Sequence, residues 1–444
     1  MPISPARVAA FDILLRVERE DSYASELLHS SRHAVLTSAD HGLATELVMG
    51  VLRWRSWLDS HIAERSSQKL TRLDPEVLTA LRLAAYQLLF LDRVPQRAAV
   101  HESVELVKRA RKRSAAPFAN AVLRKFAGVA SGNAGASIDT AQTAAELASS
   151  SAHPLWLVER WIHEFGFESA KEVCTYDQRI PETSIRLLDP TIAEEIKKQK
   201  IELSPGHLLA SAYHVVSGDL TATRQFRDGQ VMIQDEASQL VSLLVGHGAN
   251  ILDCCAAPGG KTRTLAERNP NARIIATELH PHRARMLRKL VAAMNVQVII
   301  ADALKFPTTA LFDRVLADVP CSGTGTLARN PEIKWRLKPE DLIDLQARQL
   351  SILQSAMQRV SPGGRIVYST CSLEKEENLA VVERSMSVDH SFRVLDCRIE
   401  LERLRSQGEL RWEDIDSLAS GPYLRTIPGV HPCDGFFAAI LEKI

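Results

Sequence analysis

From about residue 229 onward the chain alternates short apolar runs with helical patterns, and this alternation constrains the fold more than any other feature. The runs are NILDCC, ARIIATEL, VQVIIADAL, FDRVLADVPCSG and GGRIVYSTCSL. Between them lie a helix opening near Thr262, then HRARMLRKLVAAM, and then PEDLIDLQARQLSILQSAMQRV. Strands alternating with helices predict an α/β, Rossmann-like domain around a mostly parallel, doubly wound sheet. GFFAAILEK is expected to close it as an edge strand.

The first strand runs into LDCCAAPGGKTRTLAE, residues 252–267, whose GGKT ending looks like a phosphate loop. That loop needs Gly, four spacers, then Gly-Lys-Ser/Thr. Gly260-Lys261-Thr262 supplies the second half, but position 255 is Cys255. Pro258 also removes a backbone N–H where a phosphate cradle needs donors. A triphosphatase is therefore disfavoured. Strand, glycine turn and helix remain, the first unit of a nucleoside-binding sheet.

Ligands of such sheets bind at the carboxyl ends of the strands. Glu278 ends the second strand, 18 residues after Gly260, where an acid commonly takes ribose hydroxyls; Asp302 and Asp318 end the third and fourth. A single strand-end acid is often a turn former. Three in succession beside a Gly-rich turn suit a ligand with a ribose and an adenine but no phosphate chain. S-adenosylmethionine fits, because its sulfonium and ammonium are attracted by acids.

Cys321, in DVPCSGTG, follows the fourth strand, and Cys371, in VYSTCSLEKEEN, follows the fifth. If those strands are neighbours, both thiols face one cleft. One free cysteine is usually an inert buried residue, but two at adjacent strand ends beside a methyl donor suggest covalent catalysis. Carbon 5 of a pyrimidine is a poor nucleophile. A thiolate added to carbon 6 makes it enamine-like, and elimination then restores aromaticity. The thiolate form is favoured by a nearby cation, for which Lys261 is the candidate, and the base must leave its stack to arrive.

At 444 residues the chain is long for one domain. Residues 1–128 read as all-helical. Asp40 is expected to cap a helix containing Leu43, Leu47, Val48 and Val51, and Asp74 with Pro75 to open another. Residues 129–152, rich in Gly, Ala and Ser, read as a linker. Residues 153–228 read as a small mixed α/β, RNA-contacting segment, and 229–444 as the sheet domain. Net charge is zero, but residues 1–125 carry about five more Lys/Arg than Asp/Glu, including KRARKR at 108–113. A local basic face on a neutral protein can bind RNA. Seven cysteines without Cys-x-x-Cys spacing argue against structural zinc, so no metal is expected. The absence of a signal peptide or long apolar span predicts a cytoplasmic protein with reduced thiols and no membrane partner.

CAAPGGKT, DVPCSGTG, STCS with a following EEN, and DGFFAAILEK together resemble the RNA cytosine-carbon-5 methyltransferases of the Fmu/Sun type. ATELVMGVLRWRSWLD and the AAVHESVELVKRA…FANAVLRKF region resemble the NusB-type RNA-binding helical domain. The pair is the architecture of the bacterial B-type small-subunit ribosomal RNA methyltransferases, and the resemblance covers almost the whole chain. It implies that Cys255, Ala256, Ala257, Pro258, Gly259, Gly260 and Lys261 wrap S-adenosylmethionine. Glu278, Asp302 and Asp318 would complete the cofactor site. It implies Cys371 as nucleophile, Cys321 assisting proton removal or release of the adduct, and Asp318 touching the flipped cytosine. The substrate implied is 16S ribosomal RNA, naked or in an early assembly intermediate, acted on by a monomer. Cys254 stands where the family usually has Ala, Glu278 replaces the commoner Asp, and SIRLLDP at 184–190 departs from the usual RVN stretch.

Other readings are a methyltransferase acting on tRNA or another RNA, one using Cys321 as nucleophile in the manner of DNA cytosine methyltransferases, and a non-catalytic RNA-binding or antitermination factor. Cys371 speaks against the second, and the intact cofactor motifs against the third.

Overall fold

The computed structural model describes residues 3–20, 22–30, 36–126, 138–187, 189 and 191–444. The chain divides into two compact units: residues 1–180 with 327–336, and residues 181–326 with 337–444.

The first unit is helical: α1 (Pro5–Arg19), α2 (Ala24–Leu28), α3 (Ser38–Arg53), α4 (Arg55–Arg65), α5 (Pro75–Phe90), α6 (Gln96–Arg109), α7 (Ala116–Arg124), α8 (Ala144–Ser150), α9 (Leu155–Phe165) and α10 (Phe167–Asp177). The apolar stripe of α3 is buried through Leu47, Val48 and Val51. Its cap is Thr37, whose Oγ1 accepts from the Asp40 N–H at 3.1 Å, so the expected cap, Asp40, lies inside the first turn. Asp74 precedes Pro75 at the start of α5 as expected, but its side chain makes no capping bond and pairs with Lys112 at 2.9 Å.

The reading of 129–152 as a linker is corrected for its second half; residues 127–137 lie outside the described residues. Thr143 and Glu146 form a reciprocal capping box, and α8 buries Leu147 and Ala148. Alanine is the best helix former, so composition misled where the T-x-x-E spacing would have informed. The segment expected at 153–228 is also divided: α9 and α10 lie in the first unit, and the strands after them in the second.

Residues 327–336 complete the helical unit from far along the chain. The last carbonyls of a helix have no partner within it. Trp335 Nε1 donates to Leu52 O at 2.6 Å, Lys334 Nζ to Arg53 O at 2.9 Å, and Arg336 Nη2 to Val17 O at 2.8 Å. These donors serve the ends of α3 and α1. Lys334 is fully buried, and that burial pulls its pKa down to about 7.

The second unit holds two sheets. The smaller comprises β1 (Thr183–Leu187), β2 (Glu202–Pro205), β3 (Ala212–Ser217) and β4 (Val231–Ile233), antiparallel in the order β2-β3-β1-β4. A boundary at 228 would cut β4 from its partner β1.

The larger sheet comprises β5 (Asn250–Asp253), β6 (Arg273–Glu278), β7 (Val296–Ile300), β8 (Phe312–Asp318), β9 (Val360–Thr370), β10 (Phe392–Leu395), β11 (Ala419–Ser420), β12 (Tyr423–Thr426) and β13 (Phe436–Lys443). Its order is β11-β12-β13-β9-β8-β5-β6-β7, with β10 also on β13. The strands β9-β8-β5-β6-β7 are parallel. Leu240, Val241 and Leu265 pack on one face, and Leu353, Ala356 and Val381 on the other, so the sheet is doubly wound.

β13 is not the expected edge strand. It pairs antiparallel with β9 on one side and with β12 and β10 on the other. Its first six residues are all buried, and an uninterrupted apolar run is the pattern of a strand covered on both faces.

Candidate active site

β5 ends at Asp253, and the chain then turns through Cys255–Gly259 into the helix Gly260–Arg268. Gly259 has φ of 116°, a region closed to most side chains. A Cβ there would also lie 2.6 Å from Leu287. The loop borders a cleft of about 240 Å³ lined by residues 255–261 together with Asp253, Asp318, Met232, Ile233, Gln234, Ser238 and Leu290.

The cleft fits a cationic, donor-bearing ligand. Asp253 is buried, and Thr262 Oγ1 donates to its Oδ2 at 2.7 Å. Among the described residues, its Oδ1, like Gln234 Oε1, has no hydrogen-bond partner. Buried acceptors left open in this way call for a donor. Burial pushes the Asp253 carboxyl up to about 7. Lys261 Nζ lies 2.8 Å from Asp318 Oδ2, and Ser369 Oγ donates to Asp318 Oδ1 at 2.7 Å. Burial alone would lower the Lys261 pKa. The charge of Asp318 and its hydrogen bond, helped by the nearby Cys371, raise it instead.

Of the expected cofactor residues, Cys255–Lys261 and Asp318 line the cleft; Glu278 and Asp302 do not. Glu278 is buried at the end of β6, where it accepts from the His280 N–H at 2.8 Å. Asp302 is exposed, two residues beyond β7, and accepts from the Leu304 N–H at 2.9 Å. Asp253 was not among the expected residues. The acid that ends the apolar run NILD was the available signal.

β8 and β9 are neighbours, with Asp318 opposite Ser369. The half-buried Cys321 and Cys371 follow them, their Sγ atoms 3.4 Å apart. The hydrogen bond that the Cys321 thiol donates to Cys371, together with burial, drives the Cys321 thiol well above its ordinary value. Cys254 is buried in the core, as a small residue would be.

The EEN run has a physical reason. The Glu377 carboxylate is fully buried and accepts from the Ser322 N–H at 2.8 Å and from Gln349 Nε2 at 2.7 Å. It also takes both hydroxyls, Ser322 and Ser372, one beside each thiol. Asn378 Nδ2 donates to Ser372 O at 2.8 Å. Glu377 thus staples the two cysteine loops together. The Gly of DGFF explains itself equally: Gly435 N donates to Gly325 O at 2.7 Å, and a Cβ on Gly325 would meet Gly435 O at 2.2 Å.

A parallel sheet with a glycine loop, open buried acceptors and no phosphate cradle defines an S-adenosylmethionine-dependent methyltransferase domain. Residues 241–442 match the family model described as 16S rRNA methyltransferase RsmB/F, and residues 4–128 match the NusB family. The chain is 32% identical, over all of both chains, to a Bacillus subtilis (strain 168) protein named "Probable ribosomal RNA small subunit methyltransferase B". It is 30% identical to the "Ribosomal RNA small subunit methyltransferase B" of Vibrio cholerae, over 99% of this chain and 98% of that one. The solved structure of PH0851 shares the fold over all of both chains, with a TM-score of 0.80 and 24% identity. The chain belongs to the 16S rRNA methyltransferase RsmB/F family, and S-adenosylmethionine is its cofactor.

Proposed function

We propose that this chain methylates carbon 5 of a cytosine in 16S ribosomal RNA, in the cytoplasm, through a covalent bond between Cys371 and ring carbon 6. The observation that carries the reading is the 3.4 Å approach of Cys321 and Cys371 at adjacent strand ends beside the cofactor cleft. The bound cofactor supplies an electrophilic methyl group. Cys371 Sγ, as thiolate, adds to carbon 6 and pushes electron density to carbon 5, which takes the methyl. A base then takes the carbon 5 proton, the electrons of that bond form the carbon 5–carbon 6 double bond, and the sulfur–carbon bond breaks so that Cys371 leaves as thiolate and the ring is restored.

The surroundings of the two thiols support this division of roles. Lys261 lies close enough to Cys371 to interact with it electrostatically, and a nearby cation favours the thiolate; Cys321, 3.4 Å from Cys371, is placed to assist release. Asp318, held by Lys261 and Ser369, would contact the base. Glu377 positions both loops. Cys255–Lys261, Asp253 and Asp318 hold the cofactor, with Glu278 and Asp302 shaping the turns behind it.

The relatives' names point to RNA as partner, and the basic run of the helical unit is its proposed contact. Lys108, Arg109 and Lys112 are paired with Glu105, Asp12 and Asp74 on the surface. Such exposed pairs are worth about 0–1 kcal/mol, so phosphates can displace them. Among the described residues no helix is long and apolar enough to cross a membrane.

Bisulfite sequencing of 16S ribosomal RNA incubated with the protein and cofactor tests the reading. A protected cytosine that disappears with Cys371→Ala is expected; methylation on another atom or another base would refute it.

A further inference from the structure

A second constellation, none of whose three residues lines the cofactor cleft, lies in the four-stranded sheet. Glu182 immediately precedes β1, His214 lies on β3, and His207 lies on the loop between β2 and β3. One ligand atom from each lies within 4.8 Å of the other two. We propose that Glu182, His207 and His214 bind a divalent transition-metal ion, with zinc as the best match to two imidazoles and one carboxylate.

The supporting carboxylate is what separates this cluster from a chance surface grouping. Glu236 is fully buried and lies 2.9 Å from His214 Nε2. A carboxylate only accepts, so Nε2 carries the proton, and Nδ1 faces Glu182 Oε2 at 3.3 Å and Ser184 Oγ at 3.3 Å. Metal-ligating histidines are held in this way, the second ring nitrogen donating to a carboxylate. Glu236 also accepts from the backbone N–H of His207 at 2.9 Å, and from those of Leu208 and Leu209 at 2.8 Å each. One buried group therefore holds the His214 ring and the backbone at His207, and the two rings lie 4.9 Å apart.

The donor set is of the three-protein-ligand kind, leaving a fourth position for water. Zinc at about 2.0–2.1 Å from nitrogen holds neighbouring ligand atoms about 3.4 Å apart. The present spacing closes to this by rotation of the Glu182 and His207 side chains, both of which are exposed. Two carboxylates flank the His214 ring, a balance that a dication satisfies. Cysteine spacing cannot reveal such a site, because no cysteine takes part. The ion would clip the start of β1 to the β2–β3 loop and to β3.

The test is titration of the full-length chain with Zn²⁺ against a chromophoric chelator. It is done in a Cys321→Ala/Cys371→Ala background, so that the active-site thiols do not compete for the ion. One equivalent is expected to bind. Glu182→Gln and His207→Ala should each weaken binding by about 100-fold, since loss of an outer partner alone costs about 10–100-fold. Glu236→Gln should weaken it by about 10–100-fold; if that variant does not fold, the two exposed substitutions decide. Absence of an equivalent of bound zinc, or an affinity unchanged by Glu182→Gln and His207→Ala, overturns the proposal.

Discussion

The carboxyl ends of β5, β8 and β9 and those of β6 and β7 use acids in different ways. On the first side, Asp253 keeps an open acceptor in the cleft, Asp318 binds Lys261 and Ser369, and Glu377 gathers the cysteine loops. On the second, Glu278 and Asp302 each commit an oxygen to a backbone N–H two residues ahead. An acid at a strand end thus has two uses. It serves chemistry where the next strand brings a partner side chain, and it shapes a turn where the chain itself supplies the donor.

The largest contrast expected short of the thiols is at Glu377. Glu377→Gln puts an amide donor against groups that all donate to the carboxylate, so the two cysteine loops should shift. Because misplacement by about 1 Å can cost about 10²-fold, kcat should fall by about 10–100-fold while cofactor affinity, measured by calorimetry, holds. A parallel loss of affinity would mean that Glu377 supports the whole sheet.

Asp253 gives a pH signature. Burial raises it from 3.8 to about 7, so the folded chain keeps a proton that the unfolded chain releases. The stabilisation is full below about pH 3.8 and is lost as pH rises through about 7. Asp253→Asn escapes that loss. Without cofactor, its stability relative to the parent should rise between about pH 4 and 8, by a few kcal/mol (order of magnitude). A flat difference in denaturant unfolding would show that Asp253 is ionised at low cost.

Asp302→Ala should be milder. Its side chain is exposed and outside the cleft lining, so cofactor affinity should weaken by less than about tenfold, the equivalent of about 1.4 kcal/mol, without loss of melting temperature. A larger loss would bring the second side of the sheet into the site.

The smallest effect is expected in the helical unit. Neutralising Lys108, Arg109, Arg111, Lys112 and Arg113 should lower RNA affinity and flatten its dependence on salt, because fewer counterions are released. Pairing of three of these cations limits the change. An unchanged slope would make the run a solvated face.

The same contrast explains what was legible in the sequence. Strand and helix alternation announced the parallel sheet, because period and polarity are local properties. The neighbouring of β8 and β9, and with it the meeting of Cys321 and Cys371, followed from the topology of that sheet. The interior place of β13 was not legible, since the partners that cover it, β10 and β12, are four-residue strands with little pattern of their own. Nor was the role of residues 327–336, because nothing local marks Lys334, Trp335 and Arg336 as donors to the ends of helices 281 or more residues away. Whether a strand-end acid reaches the cleft depends on side-chain direction, which a linear pattern does not carry. Asp253 reaches it and Asp302 does not.

The central claim, that the paired thiols have different tasks, is tested most directly by denaturing gel electrophoresis of protein mixed with 16S ribosomal RNA and cofactor. Cys371→Ala is predicted to lose methyl transfer and form no denaturant-resistant complex. Cys321→Ala is predicted to accumulate one, because attack proceeds and release stalls. A trapped complex in Cys371→Ala and none in Cys321→Ala would contradict the account and make Cys321 the nucleophile.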